Sequence, residues 1–231
     1  MLFSIVIPAH NEEKYLKACI ESCQKQQGSF DYEIIVVDNN STDNTASVAS
    51  SLGVKVVGEK KHGAGAARKK GVAEASGEYI LNIDADTHLP SNYLIQVKKT
   101  FDKYKELVCL GGQFYFYDGT WWQNFFRPIL LRLSNLIALL LSFGKVGPIA
   151  SNMTFKKSVY DKTSGFDDSL QYGEDGNLTK KLSKFGVIKV DMGLKCFVSS
   201  RRFSRVDKNF SLYFLNAIYV AFLGRPYKNK L

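Results

Sequence analysis

Two acids, Asp84 and Asp86, stand one residue apart where the apolar run Tyr79–Ile83 stops. That run reads as a buried strand. Side chains alternate faces along a strand, so residues i and i+2 point the same way. Two carboxylates so placed repel each other unless something positive sits between them. A divalent cation with oxygen ligands meets that need, and Mg²⁺ or Mn²⁺ is commonly shared with a substrate phosphate. The plainer alternative is an Asp-rich turn after a strand, with Asp86 capping the next segment.

The flanking sequence must position those acids. Ser4–Leu16, SIVIPAHNEEKYL, is a short apolar strand running into Pro8 and then into a Glu-rich helix start. A second buried strand, Glu33–Val37, stops at Asp38 and meets a polar turn able to cap a helix. Val54–Val57 is a third strand, and Gly63–Gly77 reads as a glycine-opened helix leading into the fourth, Tyr79–Ile83. Apolar strands alternating with helices predict an α/β fold, a mostly parallel sheet covered on both faces. Ligands bind such sheets at the carboxyl ends of the strands. Ala9 to Glu12, Asp38 to Asn40 and Asp84 to Asp86 all follow strand ends, so they are expected on one rim.

IVIPAHNEE, IIVVDNNSTDNT and GAGAARKKGVAEASGEYILNIDAD occur in that order, followed by SNMTFKKSVYDKTSGFDDSLQYGEDGNLTKKLSKFG over 151–186. This ordered set resembles the family 2 glycosyltransferases with the GT-A (Rossmann-like) fold, over roughly residues 2–186. The resemblance implies metal-assisted transfer of a sugar from a nucleotide-diphosphate donor, with inversion at the anomeric carbon. It implies a GT-A domain over 1–205, with a nucleotide-binding half at about 1–90 and an acceptor half at about 91–205.

By the same resemblance, Asp86 contacts Mg²⁺ or Mn²⁺ and Asp84 lies near the donor's ribose and sugar. Pro8, Ala9, Glu12, Asp38, Asn39 and Arg68 contact the nucleotide. Many relatives carry two acids where this chain has Asp38-Asn39, which leaves the base open. A metal stabilises the charge building on the leaving diphosphate. The acceptor hydroxyl must lose its proton, and Asp175 is the family-matched base, with Glu174 beside it. An acidic helix start is the alternative for that pair. An acceptor phosphate would already be ionised, and Asp175 would then serve positioning. Arg201 and Arg202 sit where some processive relatives carry an Arg-x-x-Arg-Trp motif; no Trp follows here, so they are candidate diphosphate contacts without implying polymerisation. Sugar and acceptor choice is expected from Leu110–Tyr117, 147–154 and 165–173.

The net charge is +9, with 31 Lys and Arg against 22 Asp and Glu. A basic surface suits nucleic acid, anionic membrane or phosphorylated substrate, and no nucleic-acid module is present. Trp121–Phe143 and Phe210–Gly224 are apolar, aromatic and flanked by cations, yet interrupted or short against the ~20 residues of a membrane span. They read as membrane-interface helices, with 206–231 an apolar helix and basic tail; packing in the core or a dimer is the alternative. No secretory leader is expected, because Met1–Ala9 doubles as the first strand. Cys19, Cys23, Cys109 and Cys196 lack metal-ligand spacing and are expected as buried thiols. These readings together point to a cytoplasmic enzyme, peripheral on the inner membrane face, with a lipid-linked or membrane-proximal acceptor.

Two rival readings compete. GAGAA, Gly63–Ala67, fits G-x-G-x-x-A with Asp84 about twenty residues on, as in an NAD(P)-dependent oxidoreductase. The loop between Val57 and Gly63 argues against the tight turn that fingerprint needs. The other rival is a non-catalytic sugar-nucleotide-binding protein, against which the intact Asp86 and Asp175 stand.

Overall fold

The computed structural model describes residues 2–125, 152–170 and 173–202. Eight strands form one sheet in the order β3-β2-β1-β4-β7-β6-β8-β5. They are β1 (Leu2–Ala9), β2 (Asp31–Asp38), β3 (Lys55–Gly58), β4 (Tyr79–Ile83), β5 (Thr87–His88), β6 (Leu107–Phe116), β7 (Asn152–Lys156) and β8 (Val187–Val198). The third strand lies one residue later than the sequence pattern predicts. Helices α1 (Leu16–Gln24), α2 (Thr45–Ser51), α3 (Ala64–Ala73), α4 (Tyr93–Lys103), α5 (Lys157–Tyr160) and α6 (Glu174–Leu182) join them.

β3, β2, β1 and β4 are mutually parallel. Beyond β4 the sheet is mixed: β7 runs antiparallel to β4 and to β6, and β8 pairs parallel with β6. The expected parallel sheet is therefore confined to the half that carries the first four strands. Apolar runs on β1 and β4 are buried on both faces, as helices on both sides demand. Phe3, Ile5 and Ile7 face Leu16, Ile20, Tyr93 and Val97 in one core. Val6, Ile35 and Val37 face Ala67, Val72, Leu178 and Leu182 in the other.

Helix α3 sits unusually close to the sheet. A Cβ on Gly71 would lie 2.3 Å from Val6 Cγ1 and 3.0 Å from Val37 Cγ2, so only glycine admits this approach. That closeness brings Arg68, one turn earlier, down to the rim. All four cysteines are buried thiols, as expected.

Leu110–Tyr117, expected to shape specificity, falls largely on the core strand β6, in which Leu110, Phe114 and Phe116 are buried. Residues 121–125 are helical, and Trp121, Trp122 and Phe125 are exposed, at 64%, 61% and 50%. The remainder of the 121–143 segment, the 210–224 segment and the basic tail lie outside the described residues. Among the described residues no helix is long and apolar enough to cross a membrane.

Candidate active site

The rim at the carboxyl ends of β1, β2 and β4 gathers the expected residues. The loops after β1 and β2 are laced together. Asn39 donates its N–H to the Ala9 carbonyl at 2.8 Å, Glu12 donates its N–H to Thr45 Oγ1 at 2.8 Å, and Thr42 donates its N–H to Asn11 Oδ1 at 2.8 Å. Asn11 and Asn40 take positive φ, 55° and 59°, at these bends, a conformation asparagine tolerates better than most residues. Pro8, Ala9 and Asp38 lie at the strand ends beneath them.

Asn39 has a second task that the sequence did not reveal. Its carboxamide N–H groups donate to the carbonyls of Glu59 and Lys61 at 2.9 and 2.7 Å, and its Oδ1 accepts from the Gly63 N–H at 2.8 Å. The buried side chain thus fixes the loop that opens α3. Both amide N–H groups are committed to that loop, while the backbone N–H is held by Ala9 and the backbone carbonyl lies 2.8 Å from His10 Nδ1.

Asp84 and Asp86 lie past β4, in a turn closed by the Thr87 N–H donating to the Asp84 carbonyl at 3.0 Å. Strand alternation therefore does not orient them. A positive group does neutralise each, and it is a different arginine for each. Arg68, from α3, is buried and reaches three acids. Its Nη2 donates to Asp84 Oδ1 at 3.0 Å, and its Nη1 to Asp175 Oδ1 at 3.0 Å and to Glu174 Oε1. Arg201, in the 3₁₀ turn Ser200–Arg202, donates from Nε to Asp86 Oδ2 at 3.0 Å and from Nη2 to Glu12 Oε2. Its guanidinium also lies over the Tyr15 ring, 3.9 Å from the centroid. Of Arg202 only the backbone is described.

Five carboxylates thus converge on two guanidiniums. Most of this acidity is buried: Glu12, Asp86, Glu174 and Asp175 are each less than a tenth exposed. Burial pushes the Asp175 carboxyl up to about 8; Arg68 pulls it back only in part, and Glu174 and Asp84 add to the rise. Such a group gains or gives up a proton near neutral pH, the property a general base requires. Burial works against the charge on Arg68, but its three acids more than compensate and hold it firmly protonated.

The donor set suits a hard divalent cation. A Mg²⁺-type ion takes one or two carboxylates and draws its remaining ligands from phosphates and water. Among the described residues no three His, Cys, Asp or Glu side chains form a ready-made cage, so substrate oxygens would complete the shell around Asp86. His88 stacks on Tyr117 at 4.4 Å, and His62 meets His10 edge-on at 5.7 Å.

The sequence missed Asp118 and Ser199. Asp118 accepts from the Ser199 hydroxyl at 2.6 Å and from the Ser200 N–H at 2.5 Å, and Ser199 Oγ accepts from the Arg201 N–H at 3.3 Å. An Asp-Gly turn at 118–119 was the available signal, and its partner lies 81 residues away.

The GAGAA glycines are not a pyrophosphate cradle. A Cβ on Gly65 would lie 2.9 Å from the Asp167 carbonyl oxygen and 3.6 Å from Glu174 Cβ. That glycine admits the segment carrying the acidic pair, which removes the dinucleotide-binding reading.

The family described as Glycosyl transferase family 2 matches residues 4–163, more than half of the chain. Glycosyltransferase GlyG of Streptococcus pneumoniae serotype 4 is 34% identical over 123 residues, covering 51% of this chain and 40% of that protein. The chain thus aligns with less than half the length of this curated relative. A mannosyltransferase from Pyrobaculum calidifontis, solved with GDP-Man and Mn²⁺, superposes with a TM-score of 0.76 at 17% identity, covering 96% of this chain and 64% of that one. Staphylococcus aureus TarS 1–349, solved with UDP-GlcNAc, gives 0.70 at 20% identity, covering 99% and 68%. At these identities the two structures speak for the fold, which is GT-A.

Proposed function

The chain belongs to glycosyl transferase family 2, and from that premise we propose that it moves a sugar, with inversion, from a nucleotide-diphosphate sugar to a lipid-linked or membrane-proximal acceptor in a divalent-metal-dependent reaction. The observation that carries the reading is the pairing of two acidic clusters on one rim. Asp86 and Glu12 share Arg201, and Asp175 and Glu174 share Arg68 with Asp84.

The division of labour follows from charge. Breaking the sugar–phosphate bond leaves negative charge on the departing diphosphate. Mg²⁺ or Mn²⁺, when bound, would stabilise that charge as a Lewis acid. Asp86 would hold it, with Arg201 close enough to meet the phosphates. Pro8, Ala9, Glu12, Asp38 and Asn39 would line the nucleoside side. Asp84, anchored by Arg68, would sit beside the donor's ribose and sugar.

Asp175 acts on the other reactant. The acceptor hydroxyl gives up its proton as it attacks, and an ionised Asp175 receives that proton. A carboxyl raised to about 8 binds the proton more strongly than an ordinary aspartate, which favours the transfer. Arg68 fixes one Asp175 oxygen, so the carboxylate does not need to reorient. Glu174, on the same guanidinium, positions the pair. If the acceptor is a lipid-linked phosphate, it is already ionised and Asp175 orients it instead.

The exposed Trp121, Trp122 and Phe125 support a membrane-proximal acceptor. Indole rings favour the headgroup layer, and the chain's net charge of +9 suits anionic lipid. UDP and GDP sugars both remain open as donors, and a screen distinguishes them.

The test is a panel of nucleotide sugars measured by thermal shift with and without Mn²⁺, on the wild type and Asp86→Ala. Ligand binding raises the melting temperature by mass action. One or more donors should stabilise the wild type in a Mn²⁺-dependent way, and Asp86→Ala should abolish that dependence while melting cooperatively. Equal Mn²⁺-dependent shifts in both proteins would remove Asp86 from the metal site.

A further inference from the structure

Strand β4 holds one residue that packing alone does not account for. Every residue from Tyr79 to Ile83 is buried, and all are aromatic or aliphatic except Asn82. Asn82 is 0% exposed, and among the described residues neither end of its carboxamide finds a hydrogen-bond partner. Its neighbours across the sheet, Val6 on β1 and Met153 on β7, present only apolar side chains. An unpaired buried amide costs stability, so such groups normally pair with protein or with ordered water.

Asn82 faces the layer of α3 and α6, because Val6, Ile80 and Met153 around it on that face pack with Ala67, Val72, Leu178 and Leu182. The same layer carries a second orphan. Among the described residues Arg68 Nε is buried without a hydrogen-bond partner, while Nη1 and Nη2 hold Glu174, Asp175 and Asp84. The Arg68 side chain runs from α3 to Asp84, two residues and roughly 7 Å beyond Asn82 along the chain. Gly71, one turn further along α3, lies against Val6, the strand partner of Asn82. The orphan N–H and the orphan amide therefore border the same space between helix and sheet. A buried water takes roughly two to four polar partners, and Arg68 Nε with the two ends of Asn82 can supply them.

We propose that one buried water completes Asn82 and Arg68 Nε together, and that through it Asn82 positions the guanidinium that orients Asp175. This rests on the reading of Asp175 as the acceptor-side base and deepens it, by adding a residue that never touches substrate. Arg68 engages Glu174, Asp175 and Asp84 at once. A guanidinium is a rigid planar fork, so holding Nε as well fixes the plane in which Nη1 meets Asp175. Without that tether the fork can pivot, and the ionised form of Asp175 loses part of its support. The acid then keeps its proton to higher pH.

The experiment has two arms, and neither needs donor or metal. A crystal structure of the wild type should show an ordered water within about 3.2 Å of both Arg68 Nε and an Asn82 side-chain atom. Infrared spectroscopy then follows the protonated carboxyl band of Asp175 against pH, identified by its loss in Asp175→Asn. Wild type, Asn82→Leu and Asn82→Ser are compared, with cooperative melting as the check on folding. The charges that act on Asp175, from Arg68, Glu174 and Asp84, stay in place in both Asn82 variants, as does the neighbouring Cys109 thiol. In Asn82→Leu the titration midpoint should rise by about 0.5 pH or more, roughly a threefold change in proton affinity. Asn82→Ser, whose hydroxyl can still hold the water, should lie between the two. A midpoint unmoved in folded Asn82→Leu overturns the proposal, and so does a structure in which no water joins Asn82 to Arg68. Should Asn82→Leu not fold, the crystal structure decides alone. The acceptor-side reading fails separately: unchanged turnover in Asp175→Asn would remove Asp175 as the base and leave the shared water standing.

Discussion

Replacing Asp175 by asparagine should separate what that residue does for catalysis from what it costs the fold. The folded carboxyl is raised from an ordinary 3.8 to about 8, chiefly by burial. A raised acid contributes stability that is complete below the unfolded value and is lost as pH climbs toward the folded one. Between about pH 4 and pH 8 the wild type therefore forfeits roughly 1.4 kcal/mol per pH unit from this group. Asparagine cannot titrate, and its amide oxygen still accepts the Arg68 Nη1 bond now made by Oδ1 at 3.0 Å. Arg68 keeps Asp84 and Glu174 in either protein. Relative to the wild type, Asp175→Asn should therefore gain about 2 to 3 kcal/mol of stability between pH 5 and pH 7. The assay is urea unfolding of both proteins at each pH; the difference reads Asp175 together with its effect on Glu174 and Asp84, whose charges act on it. Turnover should fall by ~10²-fold or more while donor affinity stays close to normal. Parallel stability–pH curves for the two proteins would refute the buried-acid argument. A lost donor affinity with unchanged turnover would place Asp175 on the wrong substrate.

Gly71→Ala should destabilise the fold by about 1 to 2 kcal/mol in urea unfolding, because the crowding of Val6 and Val37 outweighs the helix propensity gained; a more stable variant would show that α3 can lift away without penalty. Trp121→Ser with Trp122→Ser should weaken binding to anionic liposomes by roughly tenfold or more, since both indoles are largely exposed. Equal sedimentation of variant and wild type with liposomes would assign those side chains to another partner.

The first four strands were legible because each is an apolar run ended by a polar residue, and because parallel neighbours follow one another along the chain. Asp38, Asp84 and Glu12 could be placed on one rim from that regularity alone. The other half of the sheet was not legible. β6 pairs with β7 and β8 across long stretches of sequence, and β8 alternates buried and exposed residues only in its last half. The strand character of Leu110–Tyr117 consequently did not show in the sequence, although most of it is core. Within the site, residue types announced the acids but not their partners. Nothing local to Arg68 says that it will meet residues more than a hundred positions later, and nothing local to Asn39 says that its amide will fasten the loop before α3. The expectation of a positive charge near Asp84 and Asp86 was right in kind; arginines supply it from two distant segments.

The grip of Arg68 on Glu174 spans 106 residues of sequence. A ribosome adding roughly 5 to 20 residues per second takes about 5 to 20 s to cover that interval. Throughout it the nascent amino-terminal half has Arg68 and Asp84 but lacks the helix that buries them. The face meant for Leu178 and Leu182 is uncovered for the same period. The amino-terminal strands therefore cannot complete their buried ion pairs until residues 174–182 have been made. A chain cut before residue 174 would keep the Arg68–Asp84 pair but lose the two acids and the apolar cover that the last helix brings.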